Sequence, residues 1–450
     1  MDLEFIQKYN VPGPRYTSYP TVPHWDTEGF NLADWKLKVK TTFIESNNSS
    51  GISLYIHLPF CESLCTFCGC NKRITKRHDV EIPYIETVLK EWQLYVDLLE
   101  DTPVLKHIHL GGGTPTFFSH QNLEYLITNI LKTAKLPNNY EFSFEGHPNN
   151  TTRFHLQTLF DLGFRRVSYG IQDYNENVQK AINRKQTFAQ VERVTKMARE
   201  IGYTSVGHDL IYGLPNQKLQ DVLYTMEKTK ELAPDRIAFY SYAHVPWIKG
   251  NGQRGYSEAD LPTGDQKLTM YETGKKQLHF DGYKNIGMDH FALKSDNLYK
   301  ALNQKSLHRN FMGYTDARTD LMIGLGVSSI GDSWTSFNQN VKSIESYTEM
   351  VHNNKFPLEK GHLLSEQDLM VRNHILNLMC NYETNWTSNE QEFFNKIPVR
   401  MFPLVADGLV SIKNNTISVT PKGKPFIRNI CMTLDQYLIN STKKQFSQTI

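Results

Sequence analysis

Short apolar runs alternate with stretches of helical periodicity between residue 51 and about residue 245. In the stretch 82–99, for example, Ile85, Val88 and Trp92 recur at the spacing of one helix face. Six strand–helix units in succession predict a parallel sheet with right-handed crossovers, helices outside and ligands at the carboxyl ends of the strands. The pattern therefore predicts an α/β core that forms a partial (β/α)6 TIM-like barrel. The predicted strands are 53–58, 107–110, 141–144, 166–171, 205–211 and 236–242.

The periodicity changes on both sides of this core. The proline-rich stretch 13–21 predicts an extended arm that packs over another part of the chain. After the core, a loop rich in glycine and charge at 249–260 precedes a predicted helix at 266–280 and a short strand at 283–287. Near the C-terminus, three predicted helices are followed by a predicted hairpin at 408–420. Together they resemble a winged-helix module. We expect an N-terminal arm (1–50), the barrel core (51–245), a barrel extension with substrate-side segments (246–360) and a C-terminal helical domain (361–450).

Composition narrows the class of protein. The chain has 450 residues, of which 39% are hydrophobic and 21% charged, and its formal net charge is +2. These values describe a globular protein without a bias towards nucleic acid. No run approaches the roughly 18 apolar residues that a membrane helix needs, and the first residues lack the cationic and apolar regions of a secretory signal. We expect a cytoplasmic protein that binds neither nucleic acid nor membrane.

Four of the six cysteines lie within ten residues, directly after the first predicted strand. Clustered cysteines in a reducing compartment indicate metal or redox chemistry. A structural zinc site is the alternative, but no second Cys or His pair lies at the usual distance. Three cysteines holding an iron–sulfur cluster leave one iron open for a substrate. Cys380 and Cys431 stand alone and are expected to be buried apolar side chains.

The spacing Cys-x3-Cys-x2-Cys from Cys61 to Cys68, with Tyr55 before it and Phe67 inside it, resembles the cluster loop of radical S-adenosylmethionine (SAM) enzymes. Further motifs, in the same order along the chain, resemble the oxygen-independent coproporphyrinogen III oxidases. They include PRYTSYPT (14–21), CGCN (68–71), GGGTPT (111–116), GIQD (170–173), DLIYGLP (209–215), LHRNF (307–311) and RNICM (428–432).

This resemblance implies oxidative decarboxylation of two propionate side chains of coproporphyrinogen III to vinyl groups, giving protoporphyrinogen IX. The implied cofactors are a [4Fe–4S] cluster and two SAM molecules. SAM cleavage would yield a 5′-deoxyadenosyl radical that removes a β-hydrogen from a propionate, which then loses CO2 and one electron. No side chain is implied to be catalytic beyond these cofactors. The implied partners are the substrate and an electron donor such as flavodoxin or ferredoxin, and the implied state is a monomer.

The resemblance also implies roles for individual residues. Cys61, Cys65 and Cys68 correspond to the cluster ligands, and Cys70 to a neighbour that is not a ligand. The glycine-rich turn, which includes Thr114, corresponds to the segment that receives the methionine end of SAM. Positions that contact the cluster-bound SAM correspond to Tyr55, Gly111, Glu145 and Ile330. Positions that contact the second SAM correspond to Phe67, Gly112, Gly113, Gln172, Arg184, Asp209 and Ala243.

Most of these positions fall at or just past the end of a predicted strand, so a parallel barrel would bring them to one face. The four carboxylates of the substrate suggest cations near the barrel mouth, and the candidates are Arg15, His290, His308 and Arg309.

Two departures from the family pattern bear on details near the site. Gly146-His147-Pro148 stands where an apolar residue and an acid usually precede proline, and Met312 replaces a common glutamine. Two alternatives share the cysteine loop: a haem-carrying chaperone and another radical SAM enzyme that acts on haem, such as a methyltransferase. The chaperones typically lack the arm, the Cys-Gly-Cys ending and the LHRNF segment, all of which this chain has.

Overall fold

The computed structural model describes residues 3–245, 253, 255–440 and 446–449. The strands are β1 (Ile52–Leu58), β2 (Phe60–Cys61), β3 (Arg73–Ile74), β4 (Leu105–Gly112), β5 (Glu141–Gly146), β6 (Phe164–Gln172), β7 (Ser205–Tyr212), β8 (Arg236–Ser241), β9 (Lys284–Gly287), β10 (His290–Ala292), β11 (His308–Asn310), β12 (Gly313–Thr315), β13 (Leu321–Leu325), β14 (Ile330–Asp332), β15 (Ser336–Asn340), β16 (Leu358–Leu363), β17 (Glu383–Asn385), β18 (Val410–Lys413) and β19 (Thr416–Val419).

The helices are α1 (Leu3–Tyr9), α2 (Leu32–Ser46), α3 (Glu81–Leu99), α4 (His120–Leu131), α5 (Arg153–Asp161), α6 (Glu176–Ala181), α7 (Phe188–Ile201), α8 (Leu219–Leu232), α9 (Gly264–Phe280), α10 (Asn297–Gln304), α11 (Ile344–His352), α12 (Glu366–Asn381), α13 (Gln391–Phe394), α14 (Ile397–Ala406), α15 (Ile427–Met432) and α16 (Gln436–Asn440). Among the described helices, none is long and apolar enough to cross a membrane. The predicted loop at 249–260 lies partly outside the described residues.

One large sheet organises the chain. Its strand order is β16-β15-β14-β13-β1-β4-β5-β6-β7-β8-β10-β9. The seven strands from β13 to β8 run parallel, whereas the strands beyond them on both edges are antiparallel. All six predicted strands are present in the predicted order, which confirms the α/β class. The sequence did not predict β13, because an apolar run of five residues is too short to distinguish from a loop or a helix fragment.

Burial of the strands and capping of the helices explain why these residues form the barrel core. Every residue of β1 is buried, as expected for a parallel strand covered on both faces. Helix α7 begins after Thr187, whose hydroxyl accepts from the amide of Gln190, and it ends at Gly202 in the left-handed conformation. Helix α8 has the predicted bounds, and most other predicted helices agree within a few residues.

The C-terminal part has a core of its own, which the N-terminal arm completes. Helix α12 and the β18–β19 hairpin were predicted, and β17 adds a third strand to the hairpin. Tyr16 and Tyr19 of the arm are each 2% exposed and belong to this core rather than covering a cavity. The Tyr16 hydroxyl donates to Asp435 at 3.0 Å. The arm is extended as predicted, although α1 precedes it.

Candidate radical SAM site

A cavity of about 580 Å³, here called the cluster cavity, opens at the carboxyl ends of the parallel strands. Twelve residues of the predicted cluster loop and SAM sites line it, and they come from β2, β4, β5, β6 and β7 and from loops between the strands. These residues are Cys61, Cys65, Phe67, Cys68, Cys70, Gly112, Gly113, Thr114, Glu145, Gln172, Arg184 and Asp209.

The cysteine loop leaves β1 and is held by contacts with neighbouring segments. The Cys61 sulfur lies 3.3 Å from the Thr114 hydroxyl, and the Cys65 sulfur accepts from Arg184 at 3.6 Å. The Lys72 ammonium donates to the carbonyl oxygens of Cys68 and Cys70 at 3.1 and 3.2 Å. The loop is therefore fixed by a lysine and an arginine, both of which favour thiolates nearby.

The cysteines of the loop differ in pKa, because their electrostatic surroundings differ. A hydrogen bond from Cys70, assisted by the positive charge of Lys72, lowers the pKa of Cys68 to about 6. Burial raises the pKa of Cys61 to about 11. Among the described residues, no group of three or more His, Cys, Asp or Glu side chains could hold a single metal ion. A cluster binds its cysteines at separate iron atoms, so three thiols spread along one cavity wall suit it.

The glycine-rich turn after β4 packs directly on the backbone that leads into the cysteine loop. A Cβ added to Gly113 would lie 2.6 Å from the Pro59 carbonyl oxygen, which explains why no side chain is tolerated there. The amides of Gly113 and Thr114 donate to the carbonyl oxygens of Leu58 and Phe60 at 2.9 and 3.0 Å. The turn therefore positions the cysteine loop in addition to bordering the cavity.

Three carboxylates line the cavity, and of these Glu145 and Asp209 lie at strands of the parallel sheet, whereas Glu62 belongs to the cysteine loop. Asp209 lies within β7, opposite Gly170, as the predicted strand 205–211 implies. Burial, and next the negative charge of Glu145, raises the pKa of Asp209 to about 7. Its only described hydrogen bond is a long one from the Ser168 hydroxyl, at 3.3 Å. Two neighbouring carboxylates that are poorly paired within the protein favour a cationic ligand.

Arg184 and Gln172 meet beside Gly170. The Arg184 Nη2 donates to the Gly170 carbonyl oxygen at 2.6 Å, whereas its Nε is buried without a partner among the described residues. A Cβ on Gly170 would lie 2.6 Å from the side-chain Nε2 of Gln172 and 2.9 Å from Arg184 Nη2, so a larger residue there would displace both side chains. Gln172 adopts the left-handed conformation with φ +68°, an uncommon backbone state that often marks functional positions.

Four predicted site residues do not line the cluster cavity. Tyr55 is buried, its hydroxyl 3.0 Å from His57 Nδ1, and Gly111 pairs with His57 in the β1–β4 register. The Ala243 carbonyl oxygen accepts from Gln253 at 3.0 Å, and Gln253 also donates to the Phe67 carbonyl oxygen. Ile330 lies on β14.

The four residues predicted to contact the substrate carboxylates lie in two separate places. His290 lies 3.4 Å from the Tyr240 hydroxyl, and Arg309 donates to the Arg15 carbonyl oxygen at 3.2 Å. Arg15 forms an ion pair with Asp289. His308, by contrast, lines a separate cavity of about 100 Å³ together with Met312.

The two departures from the family pattern also lie in different places. His147 lines the cluster cavity, and burial lowers its pKa to about 2, so it presents a neutral imidazole there. Met312 does not line the cluster cavity, but its neighbour Phe311 contacts the Tyr55 ring edge-on at 4.8 Å. Sequence reasoning missed Lys72 and His57, since lone polar residues near a motif carry no signal until their contacts are known.

Comparisons with known proteins agree with this geometry. The radical SAM superfamily profile matches residues 55–229. The oxygen-independent coproporphyrinogen III oxidase of Helicobacter pylori is 38% identical over 461 residues, covering 100% of this chain and 99% of the relative. The Escherichia coli protein of that name is 37% identical, covering 100% and 98%. The chain belongs to the oxygen-independent coproporphyrinogen III oxidase family.

A solved member of the oxygen-independent coproporphyrinogen III oxidase family has the same fold throughout. The structure of coproporphyrinogen III oxidase (HemN) from Escherichia coli matches with a TM-score of 0.90 and 35% identity, covering 97% of this chain and 99% of that one. The parallel strands, the edge strands and the C-terminal domain therefore belong to one family architecture.

Proposed function

We propose that this chain catalyses the oxygen-independent oxidative decarboxylation of two propionates of coproporphyrinogen III to vinyl groups, giving protoporphyrinogen IX. Full-length similarity to relatives of that name supports the substrate. The observation that carries the chemistry is the placement of Cys61, Cys65 and Cys68 in one cavity with Glu145 and Asp209. When bound, a [4Fe–4S] cluster and SAM supply one-electron cleavage and hydrogen-atom abstraction.

The residues present fit these cofactors. Cys61, Cys65 and Cys68 would hold the cluster, and the contacts of Cys61 with Thr114 and of Cys65 with Arg184 keep their sulfurs in place. Cys70 would support Cys68 by a hydrogen bond without being a ligand. The buried, unpartnered Nε of Arg184 offers a donor for a carboxylate, which SAM carries in its methionine part.

We assign the predicted SAM residues to two groups. Tyr55, Gly111, Glu145 and Ile330 would surround the cluster-bound SAM, a grouping supported by the β1–β4–β5 adjacency that brings three of them together. The second SAM would contact the other group. Asp209 would pair with its cationic centre, and Arg184 and Gln172 would bind its polar ends. Gln253 supports this second group because it joins Phe67 to Ala243.

We also propose that the protein is a cytoplasmic monomer that receives electrons from a flavodoxin or a ferredoxin. The near-neutral net charge of +2 is consistent with a protein that binds neither nucleic acid nor membrane surfaces.

An anaerobic assay tests the proposed activity. Reconstituted protein, SAM, a reductant and coproporphyrinogen III should release CO2 and yield the divinyl product. Stable haem binding without product, despite an intact cluster, would contradict the proposal and favour a chaperone.

A further inference from the structure

A second cavity, of about 420 Å³, lies between α9 and the C-terminal domain and is here called the interdomain cavity. Tyr271 and Lys275 of α9 form one side, and Tyr382, Lys424 and Phe426 of the C-terminal domain form another. None of these residues belongs to the cluster cavity. The cavity therefore needs an explanation of its own.

The walls of the interdomain cavity carry more positive than negative charge. Four permanent cations line it, together with two carboxylates; these are Arg15, Lys275, Lys424, Arg428, Glu272 and Asp289. Arg15 is paired with Asp289, and Lys275 lies 3.8 Å from Glu272. Lys424 and Arg428 have no carboxylate partner among the described residues. An anionic ligand would balance these two charges.

Both unmatched cations are held in place by other contacts. The Lys424 ammonium lies 4.5 Å from the centre of the Tyr382 ring. Arg428 is 5% exposed and donates to the carbonyl oxygens of Pro14 and Gln448, both at 2.9 Å. Burial, and next the positive charge of Arg15, lowers the pKa of Arg428 to about 10. A pre-positioned cation in a polar cavity is suited to a carboxylate.

The remaining walls suit a flat apolar ring system. Tyr212, Tyr271, Tyr382 and Phe426 present aromatic surface, and Leu268 adds an aliphatic side chain. A ligand for this cavity therefore combines an apolar body with anionic groups.

The interdomain cavity leads towards the cluster cavity. A smaller cavity of about 200 Å³ shares Arg15, Ser241 and Gln448 with it and also reaches Ala243. The Arg15 guanidinium lies 5.6 Å from the centre of the Tyr240 ring, and Tyr240 lines the cluster cavity. Arg15 and Tyr240 therefore connect the linings of the two larger cavities.

We propose that the interdomain cavity binds carboxylates of the tetrapyrrole that are not at the reaction centre. The specificity-determining cations are Lys424, which has no carboxylate partner among the described residues, and Lys275, whose contact with Glu272 is long at 3.8 Å. This inference rests on the proposed function. The product keeps two of the four propionates, so the same cations should bind substrate and product alike.

The test uses the reconstituted holoenzyme and two air-stable probes, coproporphyrin III with four carboxylates and protoporphyrin IX with two. We expect Lys424→Gln and Lys275→Gln each to weaken binding of both probes by about three- to tenfold. The KM for coproporphyrinogen III should rise by a similar factor while kcat stays within about twofold. Matched controls are Lys276→Gln on the exposed side of α9 and Lys413→Gln at the exposed end of β18; neither lines the cavity, and both should match the wild type.

Three outcomes decide the question. Unchanged affinity and KM in both variants, with a wild-type enzyme that turns over, would overturn the cavity assignment and leave the proposed function standing. A loss restricted to coproporphyrin III would also overturn it, because the cations would then hold the reacting propionates. A wild-type enzyme without product would contradict the proposed function, while the binding data would still decide whether the cavity takes carboxylates.

Discussion

The cluster cavity takes its walls from the ends of consecutive strands, whereas the interdomain cavity is assembled from segments far apart in the chain. Cys61, just after β1, contacts Thr114, just after the neighbouring strand β4. Around the interdomain cavity, Arg428 instead joins Pro14 to Gln448 across more than 400 residues. The first arrangement follows from local motifs on a parallel sheet, while the second depends on how the arm, α9 and the C-terminal domain dock.

The strongest test of this comparison concerns the cysteines. Replacing Cys61, Cys65 or Cys68 by Ala should remove the cluster and lower activity by about three orders of magnitude or more, because the cofactor supplies the difficult chemistry. Cys70→Ala should keep the cluster and most activity. Iron content and the visible absorption of the reconstituted protein measure the first effect. A Cys70→Ala variant that loses iron while Cys61→Ala keeps it would reverse the ligand assignment.

A second test addresses the carboxylate in the same cavity. Asp209→Asn should weaken binding of the second SAM by about 1.5–3 kcal/mol, or about ten- to hundredfold, because a buried charge-assisted contact is lost. The pKa of Asp209 is raised to about 7, so the carboxyl is protonated below that pH and ionised above it. Wild-type affinity for the cationic ligand should therefore rise as pH increases through 7, and the variant should lose this dependence.

Titration calorimetry with SAM at pH 6 and pH 8 measures both the affinity for SAM and its dependence on pH. Asp173→Asn is the matched control, because burial also raises the pKa of Asp173 to about 7 although that side chain does not line the cavity. Retained pH dependence in Asp209→Asn would assign the titration to another group.

The contrast between the two regions also explains what could be predicted from the sequence. Six strands, the cysteine loop and the glycine turn were predictable because each motif is local and lies beside a strand with a clear apolar pattern. The proximity of Asp209 to Glu145 was not, since contacts between side chains on different strands have no signal in the sequence. The interdomain cavity was not predicted either, because Lys275 and Lys424 become neighbours of one cavity only after the domains pack.

A third prediction concerns the contact between the arm and the C-terminal domain. Arg428→Ala should lower the free energy of unfolding by about 2–4 kcal/mol, because it leaves carbonyl oxygens of both chain ends without a donor in a buried place. Those carbonyls belong to Gly13, Pro14, Ser447 and Gln448. Urea unfolding measures the change, and Arg428→Lys should restore part of it.

Arg400→Ala is the control for this experiment, because Arg400 makes a single long contact of 3.5 Å with the Thr433 carbonyl oxygen in the same domain. Equal stability of the Arg428→Ala and Arg400→Ala variants would show that the chain ends are held by their main-chain pairing alone.

The smallest expected effect concerns a side chain beside the main-chain pairing of the two chain ends, in which the Gly13 amide donates to the Ser447 carbonyl oxygen at 3.0 Å. The Thr449 hydroxyl donates to the Tyr9 carbonyl oxygen at 2.6 Å and accepts from the Val11 amide at 3.2 Å. Thr449→Val keeps the shape but removes both hydrogen bonds, so the free energy of unfolding should fall by about 1 kcal/mol. Thr416→Val, whose hydroxyl makes one contact of 3.3 Å within a turn, should change it less. If both variants unfold alike while Arg428→Ala is destabilised, the Thr449 hydroxyl adds nothing to the arginine and main-chain contacts that join the chain ends.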